Sequence, residues 1–248
     1  MKIIKAILLT ILVSLPNYAV AGLVTVQFNN GDSLSNWHAD RRAPAGFSII
    51  NNELQMNING ADKNATNDFV NTQGMQMDIG HSTYLSVDMY IDSNWPNSLR
   101  NAGLWAIGFT DFLLPSVAPG GKTYPILEYK NTGPGTFGVS PFISTYGWFD
   151  QYAAVANLDA WNTFKFIIGA PGTQYPGVQY YVNDNFFFWD NATQTQYFTG
   201  VILNAKNEGN SYTVRYDNLT YGNVPEPAPL ALLGLGLLGL GIARKRRA

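Results

Sequence analysis

The eight residues Tyr84-Leu85-Ser86-Val87-Asp88-Met89-Tyr90-Ile91 show the fold class most clearly. The odd-numbered positions hold Leu, Val, Met and Ile, whereas the even-numbered positions hold Tyr, Ser, Asp and Tyr. Successive side chains of a strand point to opposite faces of a sheet, so this period of two predicts a half-buried β-strand.

Short apolar stretches separated by Gly, Asn, Pro and Asp continue on both sides of this strand. Two pairs of them read as hairpins, Phe47–Ile50 with Leu54–Ile58 around Asn51-Asn52, and Val178–Val182 with Phe186–Trp189 around Asn183-Asp184-Asn185. The other predicted strands are Leu23–Phe28, Leu104–Phe109, Tyr124–Lys130, Phe137–Ile143, Trp161–Ile168 and Tyr212–Tyr221. No convincing amphipathic helix interrupts them. The pattern therefore predicts an all-β fold, an antiparallel β-sandwich or jelly roll.

The N-terminal residues 1–21 depart from this pattern. Lys2 and Lys5 precede the apolar run Ala6–Leu15, and the small residues Ala19-Val20-Ala21 follow it. This order predicts a secretory signal peptide that signal peptidase removes after Ala21. The alternative is an uncleaved membrane anchor, for which the apolar run is short.

The C-terminal residues 224–248 depart from it as well. Val224-Pro225-Glu226-Pro227 is followed by the apolar stretch Ala228–Ala243 and then by Arg244-Lys245-Arg246-Arg247. As a helix the apolar stretch would be about 24 Å long, a little short of a hydrocarbon core of about 30 Å. We expect a C-terminal transmembrane helix with the basic cluster on the cytoplasmic side and the preceding domain outside.

This tail closely resembles the PEP-CTERM sorting signal of Gram-negative bacteria. The resemblance rests on Pro225-Glu226-Pro227, the apolar stretch and the basic end, in that order. It implies processing by an exosortase, a membrane peptidase that acts near Pro-Glu-Pro. An ordinary C-terminal anchor without processing would share the topology. The predicted domains are thus a signal peptide (1–21), a β-sandwich (22–223) and a sorting signal (224–248).

The net charge changes when the two ends are set aside. Six of the 15 basic residues but only one of the 17 acidic residues, Glu226, lie in the end segments. The central domain therefore holds 9 basic and 16 acidic residues, a net charge of −7. A domain of this sign repels phosphate backbones, so we expect no nucleic-acid partner. The chain has no Cys, which excludes disulfides and thiolate sites.

Three motifs in the second half of the domain resemble those of concanavalin A-like and LamG-like jelly rolls. They are Trp161-Asn162-Thr163-Phe164-Lys165-Phe166, Tyr180-Tyr181-Val182-Asn183-Asp184 and Val214-Arg215-Tyr216-Asp217-Asn218-Leu219. The opening Phe28–Trp37, which contains Gly31-Asp32, is similar to the first strand and loop of that fold. Asp184 occupies a position where these families usually have Gly.

The enzymatic activity that this resemblance suggests is glycoside hydrolysis, which needs two carboxylates facing a cleft. The laminarinase-type relatives carry Glu-x-Asp-x-x-Glu on one strand, and no such cluster occurs here. The glutamates of the domain are Glu53, Glu128 and Glu208, and Glu128 has no acidic neighbour two or four residues further on. His38 and His81 lie outside catalytic motifs. We expect no enzyme, although a pair of distant Asp residues stays open.

The resemblance also raises the question of a structural calcium ion, the one cofactor to consider. Jelly rolls of this kind often hold Ca²⁺ between the first loop and the last strand, where oxygen ligands converge. The matching carboxylates are Asp32 and Asp217. The alternative is that Asp217 lies at a β-bulge, since the apolar alternation shifts phase between Tyr216 and Leu219.

The loop from Ser144 to Tyr152 is the candidate binding site. It contains Tyr146, Trp148, Phe149 and Tyr152 among polar residues. Aromatic rings stack on the apolar faces of sugars, while polar side chains bond the hydroxyls. Trp95, in Asp92-Ser93-Asn94-Trp95-Pro96-Asn97, has similar surroundings. The alternative is that these rings fill the ends of the sandwich core.

Together these features predict an exported, membrane-sorted protein at the cell surface or in the extracellular matrix. Its expected role is non-catalytic binding of extracellular polysaccharide, with exosortase and signal peptidase as processing partners. Two alternatives stay open. One is a structural or adhesive surface protein without a sugar site, and the other is a divergent polysaccharide hydrolase or lyase.

Overall fold

The computed structural model describes residues 22–111, 121–133, 136–149, 152, 155–169 and 174–224. The predicted signal peptide with Ala21, the Pro225-Glu226-Pro227 motif, the expected transmembrane helix and the cluster Arg244-Lys245-Arg246-Arg247 lie outside the described residues. Within the described part of the chain, no helix has the length and apolarity needed to cross a membrane.

Sixteen strands account for most of the described chain. In chain order they are β1 Leu23–Val26, β2 His38–Ala39, β3 Gly46–Ile50, β4 Glu53–Ile58, β5 Thr72–Ser82, β6 Tyr84–Ile91, β7 Asn101–Phe109, β8 Lys122–Thr123, β9 Ile126–Gly133, β10 Thr136–Ile143, β11 Gly147–Trp148, β12 Ala160–Gly169, β13 Gly177–Val182, β14 Asn185–Asp190, β15 Tyr197–Lys206 and β16 Tyr212–Gly222. Three short 3₁₀ helices, Gly60–Asp62, Asp68–Asn71 and Trp95–Asn97, lie between strands.

The strands form two antiparallel sheets, and the all-β sandwich is confirmed. The first sheet has the order β14-β13-β12-β6-β16-β4-β3, with β1 also paired to β16. The second sheet has the order β11-β10-β9-β7-β15-β5-β2, with β8 also paired to β7. Together they make one compact unit, Leu23–Gly222.

The core lies between the two sheets and is built from alternate positions of the long strands. On β6, Leu85, Val87, Met89 and Ile91 are all completely buried, as their alternation predicts. The facing strands β7, β9 and β15 contribute every second residue to the same cluster: Ala102, Leu104, Ala106, Leu127, Tyr129, Val201, Leu203 and Ala205. This phase determines which side chains of the second sheet point away from the core.

Both predicted hairpins form, each around a two-residue turn with left-handed backbone. The φ angles are +56° at Asn51 and +59° at Asn52, and +51° at Asn183 and +62° at Asp184. Two consecutive residues with positive φ define the type I′ turn, whose twist matches that of the strands it joins. Asp184 can replace the usual Gly because Asn and Asp tolerate this conformation better than other side chains.

Two long strands, Thr72–Ser82 and Tyr197–Lys206, were not predicted, although they are adjacent in the second sheet. Gly74, Gly80 and Gly200 interrupt their apolar pattern, and glycine inside a sequence usually indicates a turn. Here Gly74 and Gly200 sit against neighbouring strands, where an added Cβ would meet atoms at 3.1 Å and 2.9 Å.

Candidate functional site

The predicted loop aromatics occupy the open edge of the second sheet. Trp148 lies on the short edge strand β11 opposite Phe142, and its ring is 5.2 Å from the Phe142 ring. Tyr146 is 71% exposed and Trp148 is 41% exposed, so both rings are accessible. The backbone N–H of Phe149 donates to the Pro141 carbonyl at 3.1 Å, which fixes the path of the chain here.

Phe149 and Tyr152 take a different role from these two exposed rings. Phe149 is half-buried, and its ring packs against Phe188 at 4.6 Å. Tyr152 is half-buried, packs against Phe187 at 5.2 Å and pairs with Val139 through a backbone hydrogen bond of 2.8 Å. These two residues therefore join the edge of the second sheet to β14 of the first.

A cleft of about 440 Å³, here called the aromatic cleft, opens between these elements. Its lining includes Tyr146, Trp148 and Phe149 from the loop and Asp190 from the end of β14. Asp190 is 2% exposed and accepts hydrogen bonds from the backbone N–H groups of Ala192 and Thr193 and from the Thr193 hydroxyl. Burial raises the pKa of this carboxyl above its ordinary value, although these hydrogen bonds oppose the shift.

Trp95 does not belong to this cleft, and its assignment as a sugar-binding residue is corrected. Its side chain is 2% exposed and packs edge-on against Tyr129 at 5.3 Å and Tyr212 at 5.9 Å. It borders a separate, smaller cavity of about 230 Å³ that Arg100 and Arg215 also line. Trp95 is therefore a core residue, and two other aromatic rings pack against it.

The two carboxylates suggested for calcium have local roles of their own. Asp32 accepts a hydrogen bond from the backbone N–H of Asn29 at 2.8 Å. Asp217 pairs across the ladder with Asp88, and the register shifts between Asp217 and Thr220, as the bulge alternative expects. Among the described residues no group of three or more His, Asp or Glu side chains could hold a metal ion. The calcium site stays a prediction.

A row of side chains on the face of the second sheet that points away from the core crosses the sheet from edge to edge, and Ile126 and Ile202 within it are buried. Ladder partners in the register place seven residues side by side, one from each strand: Trp148, Phe142, Ile126, Trp105, Ile202, Gln76 and His38. We call this set the outer row. It begins at the exposed Trp148 and ends at a 2.7 Å hydrogen bond between the Gln76 and His38 side chains.

Glu128 lies beside the outer row, in the middle of the sheet. It is 4% exposed, and its Oε1 accepts hydrogen bonds from the Trp105 indole N–H at 2.8 Å and from the Asn204 amide at 2.7 Å. Gly103 is the ladder partner of both Glu128 and Asn204. Because Gly103 has no side chain, Glu128 and Asn204 can meet across the intervening strand.

Glu128 also differs from the other glutamates of the described chain. Glu53 forms a bidentate pair with Arg215, with both distances at 2.6 Å, and Glu208 pairs with Lys63 and Lys206. Glu128 is the one glutamate in the described residues without an ion pair; its two bonds come from neutral groups. Sequence reasoning singled out Glu128 only for its lack of an acidic neighbour, and it missed Trp105 and Asn204.

A cation covers each tryptophan of the outer row. The Lys130 ammonium lies 3.6 Å from the centre of the Trp148 ring, and the Arg41 guanidinium lies 4.3 Å from that of Trp105. Such contacts are favourable because the face of an indole ring is electron-rich. Burial lowers the pKa of Lys130, and the nearby Glu128 carboxylate partly opposes the shift.

Comparison with known proteins identifies the tail. Residues 223–247 match the PEP-CTERM protein-sorting motif. This motif implies export, membrane sorting and processing by an exosortase, as the sequence predicts. No curated protein matches this sequence.

Solved structures match the sandwich over most of its length. A glycosidic hydrolase matches with a TM-score of 0.54 and 14% identity, over 84% of this chain and 97% of that chain. A β-glucanase of Bacillus licheniformis matches with a TM-score of 0.51 and 12% identity, over 82% of this chain and 98% of that chain. An alginate lyase variant in complex with alginate tetrasaccharide matches with a TM-score of 0.53 and 13% identity, over 83% of this chain and 98% of that chain.

Identities this low establish the shared fold and leave the activity of this chain open. The sequence resemblance to concanavalin A-like proteins is thereby confirmed at the level of the fold. The chain thus combines a jelly-roll sandwich of the concanavalin A-like type with a PEP-CTERM protein-sorting motif at its C-terminal end.

Proposed function

We propose that the sandwich binds extracellular polysaccharide, without cleaving it, along the outer row of the second sheet. The observation that carries the proposal is the alignment of Trp148 and Trp105 on one row, beside the exposed Tyr146. Three strand spacings separate the two tryptophans, which is about 14 Å. A row of this length suits an extended ligand of several sugar units.

The chemistry of the row supports a sugar ligand. Indole and phenol rings offer flat apolar surfaces, and polar groups beside them supply specificity through hydrogen bonds. Gln76 and His38 lie at the far end of the row, and Lys130 and Arg41 lie over the rings. The solved structures of similar fold include a β-glucanase and an alginate lyase. Their likeness supports a shared fold and does not identify the ligand of this chain.

The sorting motif supports the place of action. We propose that the C-terminal stretch holds the sandwich on the outer side of a membrane until an exosortase acts, after which it reaches the cell surface or matrix. The domain would then meet the polysaccharide that surrounds the cell.

A divergent hydrolase or lyase is the second candidate, and Glu128 favours it. This carboxylate is buried beside the outer row and is free of ion pairs within the described residues. Against it stands the requirement of glycoside hydrolysis for two facing carboxylates. The sequence motif that would supply the second one on the same strand is absent.

A pull-down and an activity assay test these proposals together. The purified full-length chain, kept in mild detergent because of its apolar C-terminal stretch, is incubated with insoluble polysaccharides and with the exopolysaccharide of the producing cell. We expect retention on at least one polysaccharide and no release of reducing or unsaturated ends. Retention on none would contradict the binding proposal. Release of new chain ends that Glu128→Gln abolishes would favour the enzyme.

A further inference from the structure

The two cations that cover the tryptophans carry information about the ligand. Lys130 on β9 points outward, since it is two residues from the outward Glu128 and pairs with Asn101 and Gly138 across the ladders. Its ammonium group reaches the ring of Trp148, at the exposed end of the outer row. A sugar that stacks on Trp148 would therefore lie directly beside this ammonium group.

Lys130 lacks the partner that a half-buried ammonium normally has. No residue in the described part of the chain forms an ion pair with it. The charged groups that influence it are Glu128, Lys206 and Glu208, and the last two already pair with each other at 2.7 Å. A desolvated cation of this kind gains most from an anion brought by a ligand.

Arg41 repeats the arrangement at the centre of the row. Its guanidinium group lies over Trp105 and is 5.0 Å from the Phe69 ring, while its Nη2 is 2.8 Å from Asp40. The neighbouring backbone is anchored to β5, since Asp40 donates to the Gly74 carbonyl and Gly74 donates to the Arg42 carbonyl, both at 3.0 Å. The backbone that carries Arg41 is therefore fixed next to Trp105.

We infer that the ligand of the outer row is an acidic polysaccharide, whose anionic groups pair with Lys130 and Arg41 while its rings stack on Trp148 and Trp105. The inference rests on the proposed function and names the ligand class of the same site. A neutral sugar would have to compete with each cation for the ring face and would bring no counter-ion to Lys130. A carboxylate or a sulfate ester replaces weak cation contacts with charge-assisted hydrogen bonds.

The net charge of −7 of the central domain acts against this attraction at long range. The pairing is therefore a short-range effect, confined to the two cations and screened little because Lys130 is half-buried. We expect slow encounter with an acidic polymer at low salt, because the domain and polymer repel each other, followed by selective retention.

The test compares polymers that differ only in charge. Polygalacturonate and its carboxyl-reduced, neutral form are offered to the full-length chain, with dextran sulfate and dextran as a second pair. We expect at least tenfold tighter binding to the acidic member of a pair. Preference for polygalacturonate would assign the anion to a carboxylate, and preference for dextran sulfate alone would assign it to a sulfate ester.

Lys130→Gln should remove most of this preference, weakening binding to the acidic polymer fivefold or more and leaving the neutral polymer unaffected. Lys130→Arg should retain the preference, which separates loss of charge from misfolding. The matched control is Lys165→Gln on the first sheet, where an ammonium group also lies over an aromatic ring, 4.8 Å from Tyr181.

Two results would contradict the inference. Equal binding to the acidic and neutral members of both pairs would overturn it while leaving polysaccharide binding intact. If Lys130→Gln weakened binding to the acidic and the neutral polymer of a pair equally, Lys130 would have only a structural role. Failure to bind any polysaccharide, here and in the pull-down, would instead overturn the proposed function itself.

Discussion

Glu128 organises the outer face of the second sheet through neutral donors. Its Oε1 receives both the Trp105 indole N–H and the Asn204 amide, and all three groups lie on different strands. Such a network orients Trp105 on the outer row. A buried network of this kind is stable only when its members are paired.

Replacing Glu128 with Ala should therefore destabilise the fold. The indole N–H and the Asn204 amide would lose their acceptor, and leaving buried donors unpaired costs about 1–3 kcal/mol. Glu128→Gln should cost less, because its amide oxygen can still accept. Urea unfolding followed by tryptophan fluorescence measures both. An Ala variant as stable as the parent would contradict the assigned role.

Asp190 should make stability depend on pH in an unusual direction. Burial raises the pKa of this carboxyl above its ordinary value of 3.8, so the fold favours the protonated form. The resulting stabilisation is present below the unfolded-state pKa and is lost as pH rises through the higher folded-state pKa. Asp190→Asn removes this titration.

The expected result is that the unfolding free energy of the parent, relative to that of Asp190→Asn, increases as pH falls from 7 towards 4. Urea unfolding of both proteins at several pH values measures this difference. A difference that decreases towards low pH would show that the hydrogen bonds from Ala192 and Thr193 outweigh burial.

At the residue level, the sequence named Tyr146 and Trp148 among five aromatic candidates, with core packing as the alternative, and it missed the hydrogen-bond network around Glu128. Tyr146 and Trp148 stand out because aromatics in a polar loop outside a strand pattern indicate exposure. Trp95 has the same kind of neighbours in the chain, yet the rings of Tyr129 and Tyr212, which are distant in sequence, bury it. Glu128 and Asn204 are 76 residues apart, so only the strand order brings them together.

At the level of elements, the hairpin between β3 and β4 is fixed by both of its turn residues in different ways. Asn51 and Asn52 share left-handed backbone. Asn52 also accepts a hydrogen bond from the Asn30 backbone N–H at 2.8 Å and donates its own N–H to the Asn30 side chain at 3.0 Å. The turn is therefore tied to the segment that follows β1.

Asn52→Ala should destabilise the protein more than Asn51→Ala. Both substitutions carry the left-handed penalty of an ordinary side chain, about 1–2 kcal/mol. Asn52→Ala additionally removes the acceptor for Asn30, which adds about 1 kcal/mol. Thermal unfolding of the two variants provides the comparison. The same loss in both would mean that the link to Asn30 contributes nothing.

A strand could be predicted from the sequence when one of its faces is apolar and the other is polar. Tyr84–Ile91 has one fully apolar face, and its predicted bounds agree with the structure. Thr72–Ser82 and Tyr197–Lys206 lie side by side inside the second sheet and carry glycines where neighbouring strands approach closely. Close packing between strands depends on the order of the strands in the sheet. The alternation of apolar and polar residues along the chain does not reveal that order.

At the level of the whole molecule, the sorting motif and the proposed binding surface lie in separate parts of the chain. The PEP-CTERM motif covers residues 223–247, and the compact unit of strands ends at Gly222. The sorting segment thus begins directly after the last strand. This arrangement would allow processing of the tail without removing any strand.

Replacing Pro225-Glu226-Pro227 with three alanines should block exosortase processing. The variant should keep its C-terminal peptide and accumulate in the membrane fraction, whereas the parent should lose it. Mass spectrometry of the protein from each cell fraction detects the difference. Asn210→Ala, in the connection between β15 and β16 and outside the motif, serves as the control. Normal processing of the triple variant would contradict the assigned role of these residues.

The central claim is that the outer row of the second sheet binds polysaccharide, and the affinity of a matched pair of tryptophan variants tests it most directly. Trp148 is 41% exposed on the outer row, and Trp161 is 36% exposed on the first sheet. In a titration with the polysaccharide retained in the pull-down, Trp148→Ala should weaken binding about tenfold, equivalent to about 1.4 kcal/mol. Trp161→Ala should bind as the parent does. Unchanged affinity in a folded Trp148→Ala protein, or an equal loss in both variants, would contradict the claim.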